Sequence, residues 1–534
     1  MKNFIPFILL LLSFTGFAQV DLGKYGSISG SFESISQLYI KDVLTNAVFP
    51  QDRIGSNNYM KVDYRLLKFS AGIQYEAYLP SLQGYPSVLN ESKLVQKYFS
   101  YQDSKFGLTV GNFYEQFGSG LVFRSWENRQ LGINNTMEGV NIHLKPISHL
   151  DFKFIYGKQR KNFENSDGTI RAIDANWQFV NPSLENNEKQ FAMGVSLVSR
   201  YQQYTGPDPD FKPTVNAFSG RLNYADSYHT FSAEYVVKSR DPHTANQQNT
   251  NTGKALLVNY GFAKNNIGFN LNLRRLESID FRTDRNAEQS LVLVNYIPAL
   301  TKQQEYYLPN IYVYNAQALG EIGGQADFYY TIPKNTKFGG KYGMNIILNY
   351  SRYHSLQITS QTPTSFESNF LGAGKQLFYS DINLSIKKRL SAKWTNNYLL
   401  QHIFYNKSVV EGGNYADIKS TTIVADVLYK YAPKKSIRTE LQHLFTRQDK
   451  KNWMGALMEW SYAPHFSLFA SDIYNYGDEN KRAHYYNAGG SYTTGPHKLL
   501  LSYGRQRAGL VCVGGVCRLL PAATGLNVSF TSNF

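Results

Sequence analysis

The 534-residue chain is poor in cysteine, in charge and in long apolar runs. Two cysteines and no paired histidines cannot supply the four ligands of a structural zinc site. Only the first residues form a long apolar run, and each helix of a membrane bundle needs about 20 apolar residues, which excludes that class. Charged residues make up 18% of the chain, yet mean hydropathy is −0.38. Uncharged polar and aromatic residues must therefore account for much of the composition.

Aromatic residues are abundant, with 40 Tyr and 34 Phe. This richness excludes an acidic, aromatic-poor disordered chain. Length alone would suggest several soluble domains. The composition does not change along the chain as it would at a linker, so we expect one large β domain over residues 19–534.

The N-terminus has the three parts of a secretory signal. Lys2 supplies a positive charge, residues 4–14 are apolar, and Gly16 and Ala18 are small residues at the positions that precede a cleavage site. We expect cleavage between Ala18 and Gln19, and export of the mature chain. The alternative is a buried or anchoring helix, for which the apolar run is short.

Apolar and polar residues alternate along the chain. In residues 69–79, Phe69, Ile73 and Tyr75 share one parity, whereas Gln74 and Glu76 share the other. This pattern predicts strands with one apolar and one wet face. It recurs in residues 150–157, 231–238, 267–274 and 381–387.

Connection lengths predict an all-β fold, a transmembrane antiparallel β-barrel of about 24 strands (range 22–26), with short periplasmic turns and long extracellular loops. A soluble propeller or a string of sandwiches is the alternative, but no 40- to 50-residue repeat is present. Short turns are expected at residues 66–67, 102–104, 145–148, 180–188, 226–228, 264–266, 390–391, 431–435, 463–465 and 493–496. Long polar connections are expected at 41–56, 80–91, 113–136, 240–252, 278–320, 353–374 and 506–524.

The last residues resemble the β-signal of outer-membrane proteins, an amphipathic final strand with a terminal aromatic residue. Leu526, Val528, Phe530 and Phe534 share one parity, interrupted by Ser532. The resemblance implies recognition by the barrel-assembly machinery and residence in the outer membrane of a Gram-negative cell.

Three further stretches resemble an uncharacterised family of Bacteroidetes-type outer-membrane barrels. The resemblance implies a full-length barrel, but the family supplies no activity or catalytic residue. The stretches are residues 111–120, 339–343 and 509–518, the last followed by Pro521.

Cys512 and Cys517 flank the sequence Val-Gly-Gly-Val. Gly-Gly favours a two-residue hairpin turn, because both positions can take a positive φ. The cysteines would then form the non-hydrogen-bonded pair, whose Cα atoms approach to about 4.5 Å. In an exported protein this geometry predicts a disulfide that rigidifies the last outer loop.

Residues 113–136 combine glycines, aromatic residues and the charged residues Arg124, Glu127 and Arg129. One interpretation is an inward-folded constriction in which Arg/Glu pairs set a local electric field. The other, which we favour, is a loop packed over the barrel mouth with its charges solvated or paired structurally.

The formal net charge is +15, but the basic residues form no single patch, so no nucleic-acid partner is expected. Cations near the barrel rims can instead pair with outer-membrane lipid and lipopolysaccharide phosphates. The sequence has neither a G-x-S-x-G elbow nor an H-E-x-x-H motif. We therefore expect no enzyme, no metal and no cofactor.

Bulky residues on the inward parity predict a lumen partly filled by side chains and loops. Two functions remain open. The first is a structural or accessory subunit of an outer-membrane assembly, secretion or uptake complex, in contact with other envelope proteins. The second is a diffusion channel or an aromatic-lined transporter for a small or hydrophobic solute. The bulky inward residues are Tyr78, Ile155, Val236, Leu257, Leu399 and Ile403.

Overall fold

The computed structural model describes residues 19–45, 49–179, 189–206, 211–287, 292–513 and 516–534. The signal sequence, with Ala18, and the expected short turn at 180–188 lie outside the described residues. Among those that are described, no helix is long and apolar enough to cross a bilayer.

Over the residues that the structure describes, 24 antiparallel strands form one closed sheet, as predicted. In chain order they are β1 Ser27–Tyr39, β2 Ile54–Leu66, β3 Phe69–Tyr78, β4 Ser92–Gln102, β5 Phe106–Phe113, β6 Met137–Ile147, β7 Leu150–Lys161, β8 Glu164–Phe179, β9 Gln190–Tyr201, β10 Thr214–Ala225, β11 His229–Lys238, β12 Gly253–Lys264, β13 Ile267–Glu277, β14 Gly320–Ile332, β15 Met344–Gln361, β16 Phe366–Arg389, β17 Trp394–Tyr405, β18 Ile418–Ala432, β19 Lys435–Thr446, β20 Trp453–Tyr462, β21 Phe466–Asn475, β22 Ala483–Thr494, β23 His497–Gln506 and β24 Ala523–Asn533.

The remaining elements are small and lie in connections. Val20–Asp21 pairs with the start of β1, and three two-stranded hairpins stand apart from the barrel sheet. The hairpins are Gln116–Phe117 with Phe123–Arg124, Glu127–Asn128 with Ile133–Asn134, and Gly509–Val513 with Val516–Leu520. Single helical turns occur at Gly23–Tyr25, Val43–Thr45, Ser87–Leu89, Thr244–Asn246, Leu308–Asn310 and Lys407–Glu411.

The barrel closes where β24 pairs with β1, from Ser31 opposite Asn533 to Tyr39 opposite Gly525. Phe534 extends this seam, because Gly30 and Phe534 exchange both backbone hydrogen bonds, at 2.6 and 2.9 Å. A Cβ atom on Gly30 would lie 2.5 Å from the Phe534 ring, so glycine is required here. The outward face of β24 carries Leu526, Val528 and Phe530, the residues of the predicted β-signal.

Each strand presents an apolar face to the outside and a polar face to the lumen. On β3, Ile73 and Tyr75 are exposed outwards, whereas Gln74 and Glu76 are buried inside. Aromatic residues cluster at the outward strand ends, as in the stacked pair Trp394 and Tyr429. An apolar outer band flanked by aromatic residues is typical of a transmembrane β-barrel.

Connections on the two sides of the barrel differ in length. We call the side with residues 67–68, 103–105, 226–228 and 495–496 the turn side, and the opposite side the loop side.

The prediction of a long connection at residues 353–374 is wrong. Residues 353–374 mostly continue β15 and β16, which are joined by only four residues, 362–365. Repeated register shifts beyond Tyr353 allow this hairpin to extend past the barrel wall.

Two further connections depart from the predicted alternation of lengths. The loop-side connection between β7 and β8 has two residues, 162–163, and the turn-side connection between β14 and β15 has eleven, 333–343. Neither changes the direction of a strand, so the barrel topology is unaffected.

Candidate functional site: the loop-filled lumen

The connection between β13 and β14 enters the lumen. We call its described residues, 278–287 and 292–319, the inner segment. It turns back on itself soon after β13, where the Val294 N–H donates to the Phe281 carbonyl at 2.8 Å. Many of its apolar side chains are buried, because the barrel wall surrounds them. They include Ile279, Phe281, Val294, Leu308, Tyr312 and Tyr314.

Hydrogen bonds fasten the inner segment to the wall. The Tyr353 hydroxyl on β15 donates to the Leu300 carbonyl at 2.7 Å, and the Leu308 N–H donates to Gln442 Oε1 on β19 at 2.8 Å. Further along, the Tyr314 hydroxyl donates to Glu321 Oε2 on β14 at 2.6 Å. These attachments fasten the segment to the wall at β14, β15 and β19.

A second loop fills the lumen beside the inner segment. We call residues 114–136 the glycine-rich loop. The Arg124 N–H donates to the Val294 carbonyl at 2.8 Å, and the Tyr296 N–H donates to the Gly120 carbonyl at 2.9 Å, which joins the two loops. Gly118 has a φ of +52°, and a Cβ there would lie 2.4 Å from the Arg221 side chain. The loop's buried apolar residues are Phe117, Leu121, Val122, Phe123 and Leu131.

The six bulky inward residues expected from the sequence are all buried in this region, which confirms that prediction. Leu399 and Val424, for example, pack against Tyr306 of the inner segment. The wall and the inner segment therefore pack together through buried apolar clusters, and the described loops fill the loop side of the lumen.

The predicted constriction residues divide into two places. Arg129 Nε lies 3.1 Å from Glu127 Oε1, and Arg129 Nη1 lies 2.5 Å from Glu33 Oε2 on β1. The Arg129 guanidinium also stacks over the Tyr59 ring, 4.4 Å from its centroid. Glu127 and Arg129 are thus brought together and tied to the wall.

Arg124 does not join that pair. Its guanidinium lies over the rings of Trp126 and Tyr296, 4.8 and 4.0 Å from their centroids. This stacking fixes the glycine-rich loop against the inner segment, so Arg124 bridges the two loops rather than pairing with Glu127.

Sequence reasoning missed a buried charge cluster on the loop side of the lumen. Arg200 of β9 pairs with Asp241, and both side chains are fully buried. Lys238 Nζ lies 3.8 Å and Arg285 Nε 3.4 Å from the same carboxylate. Burial alone would raise the pKa of Asp241, but Arg200 and its cationic neighbours lower it below its ordinary value. Asp241 therefore stays ionised and neutralises part of the cluster.

Other inward arginines of the wall are paired in the same way. Arg160 Nη2 lies 2.7 Å from Glu76 Oε2, and Arg274 Nη2 lies 2.5 Å from Glu321 Oε1. Buried ions need such partners, because desolvation is expensive. Charged residues on the inward parity of the strands were the sequence signal for these pairs, but only the three-dimensional structure assigns the partners.

The turn half of the lumen is different. Its inward residues are polar, and many of them remain accessible to solvent. Asn223 on β10, Asn270 on β13 and Asn345 on β15 are exposed although they face inwards. The described part of the barrel is thus a polar vestibule that is closed at its loop end. No group of three His, Cys, Asp or Glu side chains in that part is placed to hold a metal ion.

The predicted cysteine hairpin is present in the backbone. Cys512 lies opposite Cys517, and Val513 lies opposite Val516, in the register expected from the sequence. The side chains of the two cysteines and the turn at 514–515 lie outside what the structure describes, so the disulfide stays a prediction.

A family model described as a family of unknown function (DUF6029) matches residues 1–534. The chain belongs to this family. The expectation of an uncharacterised family is therefore confirmed. No curated protein matches the chain.

Among solved structures, the chain is similar to the translocation pore of the P pilus usher PapC, at 10% identity and a TM-score of 0.44, over 95% of this chain and 99% of that one. It is also similar to the siderophore receptor PirA from Pseudomonas aeruginosa, at 10% identity and a TM-score of 0.41, over 95% and 80%. OccK11 from the same organism is 8% identical, with a TM-score of 0.31, over 95% of both chains. Strand pairing within the chain itself establishes the barrel.

Proposed function

We propose that this DUF6029 member is a non-enzymatic outer-membrane barrel, exported by a cleaved signal sequence in a Gram-negative bacterium of the Bacteroidetes type. In this proposal it acts as a structural or accessory subunit of an assembly, secretion or uptake complex. One observation carries it. The inner segment and the glycine-rich loop occupy the loop half of the lumen and are hydrogen-bonded to the wall. The lumen is therefore blocked at rest, and the protein presents its outer surfaces and loops for contact with partners.

Conductance tests the closed state. We expect the purified protein to insert into planar bilayers without stepwise conductance at moderate voltage. A general porin inserted under the same conditions is the positive control for the bilayer. Regular, ohmic steps from the unmodified protein would contradict the proposal.

Affinity purification tests the role as a subunit. A tag placed in the exposed, four-residue connection 362–365 would avoid both the lumen and the barrel seam. After cross-linking in native membranes, we expect a defined set of envelope proteins to co-purify. An unrelated barrel, tagged in the same way and expressed at the same level, controls for abundant contaminants. Recovery of the protein only by itself would count against the proposal.

A gated transporter is the second candidate, and the chemistry of the wall favours it. Behind the inner segment the wall carries charged and polar groups, including Arg274, Glu321 and Gln442, that would be wet if the segment moved. The polar vestibule on the turn side would then continue through the barrel. Conductance or solute uptake that appears only in the presence of an envelope fraction would favour this function over a purely structural one.

A further inference from the structure

The turn side of the barrel carries a strongly basic surface on one part of its circumference. Three neighbouring connections with their flanks, residues 333–343, 387–393 and 430–435, contain ten Lys or Arg residues and no Asp or Glu. We call these ten residues the basic arc. They are Lys334, Lys337, Lys341, Lys387, Lys388, Arg389, Lys393, Lys430, Lys434 and Lys435.

The charge of the basic arc is not neutralised within the described part of the chain. No carboxylate there lies within 4 Å of any of the ten cations, and most of their side chains are exposed. Elsewhere on the same rim the pattern differs. Lys68 lies 2.8 Å from Asp103, and Lys145 lies 3.8 Å from Asp151. Like charges held together attract anions from the surroundings.

The basic arc is level with the edge of the apolar band. Trp394 and Tyr429, whose ring centroids are 4.2 Å apart, face outwards, and Trp394 directly follows Lys393. Lys435 lies over the outward ring of Tyr462, 4.9 Å from its centroid. Aromatic residues at such edges occupy the headgroup region of a bilayer. The cations are therefore at the depth of lipid phosphate groups.

We propose that the basic arc binds the phosphate groups of anionic lipids in the leaflet that the turn side faces. The position favours a lipid over an acidic protein. The arc follows six adjacent strands, β14 to β19, along the membrane edge. Lys393 and Lys435 border lipid-facing aromatic residues, whereas Lys387 and Lys430 lie on the inward parity of their strands and face the vestibule. This proposal requires only the transmembrane barrel and is independent of the role as a complex subunit.

Lipid selectivity tests the proposal. The full barrel is placed in nanodiscs of phosphatidylglycerol and phosphatidylcholine, and the lipids that remain bound are counted by native mass spectrometry. We expect the protein to enrich phosphatidylglycerol. The triple variant Lys341→Gln, Lys388→Gln, Lys434→Gln removes one cation from each connection and should reduce the enrichment by roughly fivefold or more at low salt, since each cation near an anionic surface contributes measurably.

A matched control removes three charges from the opposite part of the rim. The variant Lys68→Gln, Lys105→Gln, Lys145→Gln alters two cations with acidic partners, Lys68 and Lys145, and a third, Lys105, in the turn that contains Asp103. We expect its enrichment to stay close to that of the unmodified protein. Equal losses in both variants, or no enrichment in the unmodified protein, would overturn the proposal. The folded fraction, read from heat-modifiable migration on gels, shows whether each variant has formed its barrel.

The source of the phosphate is distinguished in separate arms. Nanodiscs that contain lipid A instead of phosphatidylglycerol test the phosphates of the other leaflet, and added inorganic phosphate tests free anion binding. We expect the triple variant of the basic arc to lose its enrichment of phosphatidylglycerol while its retention of lipid A stays equal to that of the unmodified protein. Unchanged lipid binding by the arc variant, together with loss of an acidic envelope protein from purified complexes, would overturn the lipid proposal in favour of a protein partner.

Discussion

At the scale of single residues, buried charge on the loop side of the lumen matters most. Asp241 is the common partner of Arg200, Lys238 and Arg285, and the Arg200 and Asp241 side chains are fully buried. A buried cation that loses its partner keeps the full cost of desolvation. Asp241 therefore stabilises the closed lumen more than an ordinary ion pair would.

Replacing Asp241 with Asn should destabilise the protein. We expect the free energy of unfolding to fall by about 3–5 kcal/mol, because three buried or nearly buried cations would lose their carboxylate. Urea unfolding in lipid vesicles, followed by tryptophan fluorescence, measures this change. Glu479→Gln is the control, since Glu479 pairs with Lys451 on the surface, and it should have no measurable effect. Equal effects of the two substitutions would contradict the argument.

His243 should make stability depend on pH. Burial lowers its pKa to about 4, although Asp280 and Asp241 act in the opposite direction. The unfolded chain takes up a proton near pH 6.5, whereas the folded chain stays neutral to about pH 4. His243 therefore does not reduce the stability of the fold above pH 6.5. As the pH falls from 6.5 towards 4, the free energy of unfolding falls by up to about 3 kcal/mol.

Unfolding at pH 7.5 and at pH 5 tests the role of His243. In His243→Gln the difference in stability between the two pH values should shrink, whereas in His465→Gln, a substitution on an exposed turn, it should not change. An unaltered pH dependence in His243→Gln would exclude this histidine as its source.

At the scale of elements, the two faces of each strand have opposite requirements. On β13, Leu273 is exposed to the outside, and the preceding Asn272 faces the lumen. Apolar outward residues are solvated by lipid, and inward ones by water or by the filled lumen. Consecutive residues of a strand therefore lie in two different environments, the lipid and the lumen.

Arginine substitutions on adjacent residues of β13 should differ strongly. Leu273→Arg places a charge in the lipid and should cost about 2–4 kcal/mol near the middle of the bilayer, whereas Asn272→Arg should cost clearly less. The unfolding free energy of both variants in the same vesicles measures the difference. A larger cost for Asn272→Arg would show that the faces have been assigned incorrectly.

The hairpin at Gly509–Val513 and Val516–Leu520 places the backbones of Cys512 and Cys517 opposite each other. We expect a disulfide between them in the exported protein, because this pairing brings the two residues close enough to bond. Mass spectrometry of a digest prepared without reductant should find the two peptides linked. Alkylation of both thiols in the native protein would contradict the prediction.

At the scale of the whole molecule, the barrel is closed twice. β24 and β1 close the wall, and the inner segment, together with the glycine-rich loop, closes the lumen. These two closures depend on different contacts. The wall depends on strand pairing, whereas the closure of the lumen depends on side chains of the inner segment and on a few hydrogen bonds.

Removing the inner segment should therefore open the barrel without unfolding it. Replacing residues 296–315 with a short Gly-Ser linker is expected to give stepwise conductance in planar bilayers, where the unmodified protein gives none. Heat-modifiable migration on gels checks that the variant still forms a barrel. A folded variant that remains non-conducting would mean that the glycine-rich loop alone is sufficient to close the lumen.

Strand positions, strand number and the cysteine hairpin register followed from local patterns. Alternation has a period of two residues and needs no knowledge of distant contacts, so Gln74 and Ile73 could be assigned to opposite faces from the sequence. The extension of β15 and β16 through residues 353–374 could not, because polar residues in a strand that leaves the membrane look like those of a loop.

The sequence by itself determined the barrel, its two-faced strands and the bulky inward residues, because these are encoded by neighbours along the chain. Only the tertiary structure decided what fills the lumen and which ions pair inside it. Leu308 meets Gln442, and Arg274 meets Glu321, across distances along the chain at which no local pattern operates. Pairing of β13 with β14 brings Arg274 beside Glu321, and entry of the inner segment into the lumen brings Leu308 to Gln442. Their burial then requires these groups to pair with each other.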